Sequence, residues 1–366
     1  MQAKVLAALS GGVDSSVAAR LLVEQGHEVV GAYMKNWINE ENIAGNCPWQ
    51  QDIEDARRVA DQIGIEFRVV NLMREYRERV VRYLLDGYTG GITPNPDAMC
   101  NREMKFGVLR EYSAAEGFDF VATGHYAQRR VREPGGTVEV LRGADGSKDQ
   151  SYFLALLCQE QVRAALFPLG ALKKLQVRNL ARDWGLATAE KKDSQGICFI
   201  GEVRMSDFLR TFLPDDPGPV LDVEGRLLGE HQGLHLFTLG QRRGIGVASR
   251  QHGAAYVVVA KEPGRKALVV ALEDPAAPLL YASRALVSEV SFLGDGFREG
   301  EDLEAQARYR SPSAQARITE WDQDTRRARI EFREAQRALT PGQVCAFYRG
   351  AELIGGGFFE RIEHES

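Results

Sequence analysis

No apolar run in this chain approaches the roughly 18–20 residues that a membrane-crossing helix needs. The N-terminus enters a short apolar strand at once, without the charged and then apolar stretches of a secretory signal. A cytoplasmic location, with no membrane partner, is the expectation. Cysteine is scarce, with five among 366 residues. That is too few for a disulfide scaffold, and no Cys-x-x-Cys is present to suggest structural zinc. Neither charge dominates: 46 basic residues face 51 acidic ones, for a net charge of −5. Composition therefore does not advertise nucleic-acid binding and leaves that question to local patches. Internal repeats and low-complexity segments are missing too. What remains is an ordinary globular composition, long enough for two or three domains.

The most informative stretch is Ser10-Gly11-Gly12-Val13-Asp14-Ser15-Ser16. It follows an apolar run, residues 5–9, that reads as a buried strand. It precedes Val17, Ala18, Leu21 and Leu22, which share one helix face ending at Gly26. Strand, glycine turn and helix start aim backbone N–H groups and a helix dipole at one point, where a phosphate can sit. The glycines permit the tight turn, and Ser10, Ser15 and Ser16 add hydroxyl donors. The Walker form of such a loop needs Gly-Lys-Ser/Thr, and no lysine is here. The run resembles the pyrophosphate loop of enzymes that cleave ATP between the α and β phosphates. The plainer alternative is a glycine turn capped by serines.

The first part of the chain alternates strand and helix. Residues 29–34, 65–70 and 118–122 read as strands; residues 52–63, 74–85 and 102–116 read as helices. Residues 87–99, rich in Gly and Pro, read as a long loop. The rhythm implies a parallel sheet covered on both faces, with ligands at the carboxyl ends of its strands. Beyond about residue 200 the apolar runs become short and β-branched, punctuated by turns such as Glu262-Pro263-Gly264 and Pro341-Gly342. The last pair suits the central positions of a type II turn. These features indicate all-β modules, the last a small barrel. Expected boundaries give domains 1–205, 206–278 and 279–366.

Two cysteines stand in suggestive places. In Thr93-Pro94-Asn95-Pro96-Asp97-Ala98-Met99-Cys100-Asn101, two prolines stiffen a loop before a helix. The pattern predicts Cys100 at or just before a helix N-terminus, where a thiolate is favoured. Asp97 is placed for proton transfer. A buried helix-entry cysteine with Asp97 as a cap is the alternative. Cys198 lies in Asp193-Ser194-Gln195-Gly196-Ile197-Cys198-Phe199-Ile200-Gly201, and its apolar neighbours equally suit a small core residue. Cys158 and Cys345 read as core, and Cys47 has no role.

Eight blocks stand in the same order as in the bacterial tRNA-specific 2-thiouridylases, over essentially the whole chain. They are the 10–16 loop, Met34-Lys35-Asn36-Trp37, residues 93–101, Ala122-Thr123-Gly124-His125-Tyr126, Lys148-Asp149-Gln150-Ser151-Tyr152-Phe153-Leu154, residues 193–201, Phe237-Thr238-Leu239-Gly240-Gln241-Arg242-Arg243-Gly244 and Pro341-Gly342-Gln343. The resemblance implies a Rossmann-like parallel sheet with a pyrophosphate loop, of the adenine nucleotide alpha-hydrolase type. A small β-containing central domain and a C-terminal β-barrel would follow.

The resemblance also implies chemistry. ATP would adenylate the C2 oxygen of the wobble uridine of tRNA, and sulfur would displace AMP. Cys198 would carry the sulfur as a persulfide. Cys100 would release it and leave a Cys100–Cys198 disulfide, and Asp97 would move the proton at the base. Ala8, Leu9, Ser10, Gly11, Gly12, Val13, Asp14, Ser15, Met34 and Gly124 would contact ATP. Mg2+ would accompany the phosphates, with Asp14 as its ligand. Asn95, Pro96 and Asp97 would surround the flipped base, and His125, Lys148, Asp149, Gln150, Arg308, Tyr309 and Gln343 would touch tRNA in its anticodon region. A sulfur-relay protein or cysteine desulfurase would supply the persulfide, and the enzyme would be a monomer. Without the resemblance, Lys148-Asp149-Gln150 reads as a solvated loop, Arg308 and Tyr309 as an ordinary strand pair, and His125 as a hydrogen-bonded structural residue. Residues 171–192 carry Lys173, Lys174, Arg178, Arg182, Lys191 and Lys192 against Asp183 and Glu190, a modest basic surface for RNA.

Two other readings compete. A pyrophosphate-loop ligase acting on a small molecule fits the loop, but not the paired cysteines or the β-rich tail. A non-catalytic nucleotide-gated RNA-binding module fits the tail, but not Asp97, Cys100 and Cys198 together.

Overall fold

The computed structural model describes residues 2–38, 45–46, 49–133, 136–193, 202–247 and 255–364. Its N-terminal part holds a five-stranded sheet in the order Glu66–Asn71, Glu28–Lys35, Lys4–Ala8, Phe120–Ala122, Ala165–Leu166. Every pairing is parallel. The first strand shows why an unbroken apolar run was needed. Leu6 faces one core cluster, with Val30, Met34 and Cys100. Val5, Ala7 and Leu9 face another, with Val17 and Leu22 from the helix Val13–Glu24. Successive strand residues point to opposite faces, so both faces must be apolar when both are covered. From the central strand Lys4–Ala8 the chain builds outward first on one side and then on the other. That reversal puts the crevice for a ligand at its carboxyl end, where the 10–16 loop begins.

The expected long loop at 87–99 is shorter than the composition suggests. Helical structure runs through Met73–Tyr76, Arg77–Val81 and Arg82–Thr89, and a new helix opens at Pro96. Gly87 sits inside Arg82–Thr89, where a Cβ would run into the Pro94 ring. Pro96 opens the second because the first helical position needs no N–H donor.

Two β modules follow. The central one is a four-stranded sheet, Leu227–His231, Gly218–Asp222, Ala267–Leu272, Tyr256–Glu262. The C-terminal one is a closed barrel of six strands: Tyr281–Phe292, Arg327–Arg337, Ala314–Asp322, Asp302–Gln306, Val344–Arg349 and Glu352–Glu363. Tyr281–Phe292 closes it by pairing with Glu352–Glu363 as well as Arg327–Arg337, so the module keeps no open edge between its first and last strands. The domains are stitched together rather than strung. An N-terminal hairpin, Ala127–Val131 with Val138–Arg142, extends the barrel sheet through Leu141 opposite Glu352 and Val140 opposite Leu353. The helix Met205–Phe212, just past the expected boundary at 205, buries Phe208 and Leu209 in the N-terminal cluster that holds Met34 and Cys100. Among the described residues no helix is long and apolar enough to cross a membrane.

Candidate active site

The 10–16 loop forms as its residue types demand. Gly11 has a φ of +73°, a left-handed conformation that costs any L side chain. A Cβ on it would stand 2.4 Å from the carbonyl oxygen of Asp52. Gly12 caps the helix Val13–Glu24. The first regular helical bond runs from the Ser16 N–H to the Gly12 oxygen, 3.2 Å, so the N–H groups before it have no carbonyl a turn behind to use. The hydroxyls lock the shape. Ser15 and Ser16 donate to the Gly12 oxygen at 3.0 and 2.8 Å, and the Ser10 N–H donates to Ser15 Oγ at 3.1 Å. Gly124 closes the other wall, since a Cβ there would lie 2.9 Å from the Asp14–Ser15 backbone. Ala8 and Leu9 end the strand beneath, and Met34 is buried at the end of the neighbouring strand. The residues expected around ATP therefore gather at the carboxyl end of the central strands, and the two glycines let the loop pack closely against the Asp52 backbone on one side and the segment at 124 on the other.

Cys100 lies deeper in its helix than expected. Asn95, not Asp97, is the cap: its Oδ1 accepts from the Ala98 N–H at 3.1 Å. Helical structure then runs through Pro96–Met99, a π-helical stretch Cys100–Val108 and Leu109–Ala115. The Cys100 N–H is already bonded within the helix, to carbonyls of the first turn. The dipole argument thus applies to Asp97, in that first turn, more than to the thiol. Cys100 itself is fully buried, in the cluster containing Leu6, Met34, Val203 and Phe208.

A turn from the C-terminal barrel braces this region. Gly342 has a φ of +87°, and the Gln343 N–H closes the turn on the Thr340 oxygen at 3.1 Å, as the type II reading requires. The Gln343 side chain donates to the carbonyl oxygens of Thr93 and Pro94 at 2.8 and 3.1 Å, and the Thr93 N–H donates to Pro341 at 2.9 Å. Gln343, expected at tRNA, holds the entrance to the Asn95-Pro96-Asp97 turn.

The expected tRNA contacts are similarly engaged with protein. His125 is buried, 2.7 Å from Thr123 Oγ1 and packed among Phe106 and Phe167. Burial, and then the charge of Lys105, hold its imidazole well below 6.5. Asp149 accepts from the Gly143 and Ser151 N–H groups, and Gln150 pairs with the Tyr126 backbone. Arg308 donates to Leu239, Ala338 and Thr340, tying the central module to the barrel. Tyr309 packs against Phe153 with ring centres 4.3 Å apart and the planes tilted by 47°. Cys345 is buried as expected, but Cys158 is exposed, just before the helix Gln159–Arg163. The turn before that helix lifts it out of the core.

The basic run at 171–192 was read as a surface for RNA, yet most of its charge is paired. Lys174 and Arg178 are one turn apart on the helix Lys174–Asp183 and so share a face. Lys174 Nζ lies 2.8 Å from both oxygens of Asp14 and 2.7 Å from Asp193. Arg178 and Lys148 also reach Asp193, at 2.7 and 2.9 Å. Burial opposes the charge on Asp193, but hydrogen bonds from Lys174 and Lys148 outweigh it and hold the carboxyl down at about 2. Lys191 joins Asp52 and Asp55 at 2.7 Å each, and Arg182 joins Glu190. The meeting of Lys174 with Asp14 was not visible in sequence; the i,i+4 spacing of Lys174 and Arg178 was the only signal. Among the described residues no cluster of three or more His, Cys, Asp or Glu could hold a metal.

Cys198, Cys47 and the rest of residues 194–201 lie outside the described residues. The residues on either side do not. Asp193 is held beside the 10–16 loop, and Val203 is buried in the cluster of Cys100.

Residues 3–202 match the family described as tRNA methyl transferase HUP domain, residues 206–272 its PRC-barrel domain, and residues 283–359 the aminomethyltransferase beta-barrel domain. A tRNA-specific 2-thiouridylase MnmA of Akkermansia muciniphila is 58% identical over 99% of both chains. The proteins of that name from Streptococcus agalactiae and Bacillus licheniformis are each 45% identical over 98% of this chain and 95% of their own. Among solved structures, a 4-thiouridine synthetase in complex with RNA and ATP shares 18% identity at a TM-score of 0.37, over 57% of this chain and 49% of its own. That likeness is too slight to argue from. Identity at this level across nearly the whole length establishes that the chain belongs to the tRNA-specific 2-thiouridylase family, a family of tRNA sulfurtransferases.

Proposed function

We propose that this enzyme uses ATP to replace the C2 oxygen of the tRNA wobble uridine with sulfur. The observation that carries the reading is the meeting of two chemistries at the carboxyl ends of the central strands. The 10–16 loop and the buried thiol of Cys100 are linked through Met34, which belongs both to the expected nucleotide contacts and to the core cluster of Cys100.

The uracil C2 carbonyl is a poor electrophile. Its oxygen attacks the α phosphorus of ATP, pyrophosphate leaves, and the oxygen becomes part of an AMP leaving group. The terminal sulfur of a persulfide on Cys198 bonds to C2 as the C2–O bond to AMP breaks. Cys100 then attacks the Cys198 sulfur. The S–S bond of the persulfide breaks, its electron pair becomes the C=S of the product, and a Cys100–Cys198 disulfide forms. Two cysteine sulfurs are oxidised and the transferred sulfur is reduced, so each cycle needs a dithiol reductant and a new persulfide donor. Asp97, at the first turn of its helix, takes the proton released at the base. The wobble base reaches Asn95, Pro96 and Asp97 by flipping, at low cost because anticodon bases are already partly unpaired.

Magnesium supplies charge neutralisation on the phosphates when bound. The residues present fit it only as a phosphate-held ion. Asp14 is the carboxylate at the loop, and it is already bonded by Lys174 and by the Tyr126 hydroxyl at 2.7 Å. Intact Asp97, in the first turn of its helix, and Cys100, in the core cluster of Met34, favour this reading over a small-molecule ligase.

The test is incubation with ATP, magnesium, a persulfide donor, a dithiol and unmodified tRNA, followed by nucleoside mass spectrometry. 2-Thiouridine should appear, with AMP and pyrophosphate in equal amounts. Cys198→Ser should keep tRNA binding and abolish product; thiolation surviving that change would overturn the assignment of the persulfide.

A further inference from the structure

Two carboxylates and three cations meet beside the 10–16 loop, and their arrangement is lopsided. Asp14 belongs to the loop. Asp193 does not, yet it accepts from Lys148, Lys174 and Arg178 together, all within 2.9 Å. Lys174 spans the two, reaching Asp14 and Asp193 at once. The Lys174 side chain is only 14% exposed and that of Arg178 only 19%, while Lys148 is 33% exposed, so two of the charges are held inward and the third stands at the rim. Arg178 is further fixed by the carbonyl oxygens of Ala189 and Lys191. Two inward cations and a third at the rim converging on one carboxylate form an anion site, and a carboxylate is a modest occupant for it. A pyrophosphate group carries more charge and more acceptor oxygens for the same donors.

We infer that Lys174, Arg178 and Lys148 form the subsite for the pyrophosphate half of the nucleotide, and that Asp193 competes with pyrophosphate for them. This rests on the reading that the 10–16 loop binds ATP. The placement follows from Asp14. Its carboxylate sits in the first turn of the loop helix, where like charge would repel phosphates, and Lys174 Nζ neutralises it at 2.8 Å from both oxygens. Phosphate oxygens lying over the helix N-terminus come within reach of the same ammonium. Lys174 then serves both anions, and the nucleotide's gain is Asp193's loss. Asp193 thereby sets how tightly pyrophosphate is held and how readily it leaves after adenylation.

The experiment is isothermal titration of the full chain with inorganic pyrophosphate and, separately, with AMP, in the presence of magnesium. Asp193→Asn removes the competing charge and keeps the side chain's size. It should tighten pyrophosphate binding about five-fold and leave AMP within two-fold. Lys174→Met should weaken pyrophosphate at least ten-fold and again leave AMP within two-fold. In the double variant the gain from Asp193→Asn should shrink, because the shared cation is gone. Asp193→Ser is the second variant should the asparagine fold poorly. Pyrophosphate affinity unchanged or weakened in both Asp193 variants would overturn the inference, as would equal losses for AMP and pyrophosphate in Lys174→Met. Wild-type affinity for ATP, measured in the same way, judges the underlying reading separately.

Discussion

Replacing Gly11 with alanine separates two costs that the structure predicts at one position. The first is conformational. With φ at +73°, an L side chain costs about 1–2 kcal/mol. The second is contact. The new Cβ would stand 2.4 Å from the Asp52 carbonyl oxygen, about 1 Å inside ordinary contact, and overpacking against backbone costs about 1–3 kcal/mol. Gly26 is the control. Its φ is +82°, and a Cβ there meets nothing within 4 Å, so Gly26→Ala pays the first cost alone. The entropy gained by stiffening the unfolded chain is common to both and cancels. Gly11→Ala should therefore be less stable than Gly26→Ala by about 1–3 kcal/mol. For a unit of 150–250 residues this is roughly 2–12 °C in thermal midpoint. Differential scanning calorimetry supplies the midpoints. Titration with ATP adds the functional half: Gly11→Ala should lose affinity, because relieving the contact moves the loop, while Gly26→Ala should not. Equal midpoints for the two variants, or unchanged ATP affinity in Gly11→Ala, would refute the close-approach argument.

Three further outcomes follow from the geometry. Asn95→Ala should cost about 1 kcal/mol through loss of the cap on Ala98, with Asn95→Asp restoring most of it; equal stabilities for the two would show that the cap is not what Asn95 supplies. Gln343→Ala removes both donors to Thr93 and Pro94. It should slow thiolation and lower the thermal midpoint with tRNA affinity held, whereas a rise in tRNA Kd alone would mean the side chain leaves these carbonyls to bind RNA. His125 gives a pH signature. Its folded pKa lies well below 6.5, so below that pH the unfolded chain binds the extra proton. The stability it underwrites is complete above pH 6.5 and falls away under it, by at most about 1.4 kcal/mol per pH unit. Urea unfolding from pH 5 to 8 should show His125→Gln with a shallower acid limb than the wild type; identical limbs would contradict the burial argument.

Much of the N-terminal fold was legible because its signals are local. The glycines at 26, 64 and 117 do follow helices and do have positive φ, and the apolar runs at 5–9 and 29–34 do become parallel neighbours. The helix entry at Pro96 was misjudged by several residues. Two prolines and three glycines read as loop in composition, while in the fold Pro96 opens a helix and Gly87 admits Pro94 against another. The hairpin that joins the barrel was not legible, because Arg129, Arg130 and Arg132 make the first strand look like surface. Its polarity suits a strand at the end of a sheet, with Arg130 and Arg132 ion-paired to Glu139.

By itself, the sequence determined the chemistry available: a lysine-free phosphate loop, an Asp97–Cys100 turn, a second cysteine at 198 and the order of motifs that marks the family. Those are properties of residue type and short spacing, which glycine torsions, caps and periodicity enforce within a few residues. Only the tertiary structure decided partnership. Lys174 meets Asp14 across 160 residues, Gln343 meets Thr93 across 250, and Met34 meets Cys100 in one core. Such pairs depend on how separate elements pack, and a charge or an amide reads the same in sequence whether it ends on solvent, on RNA or on its own protein.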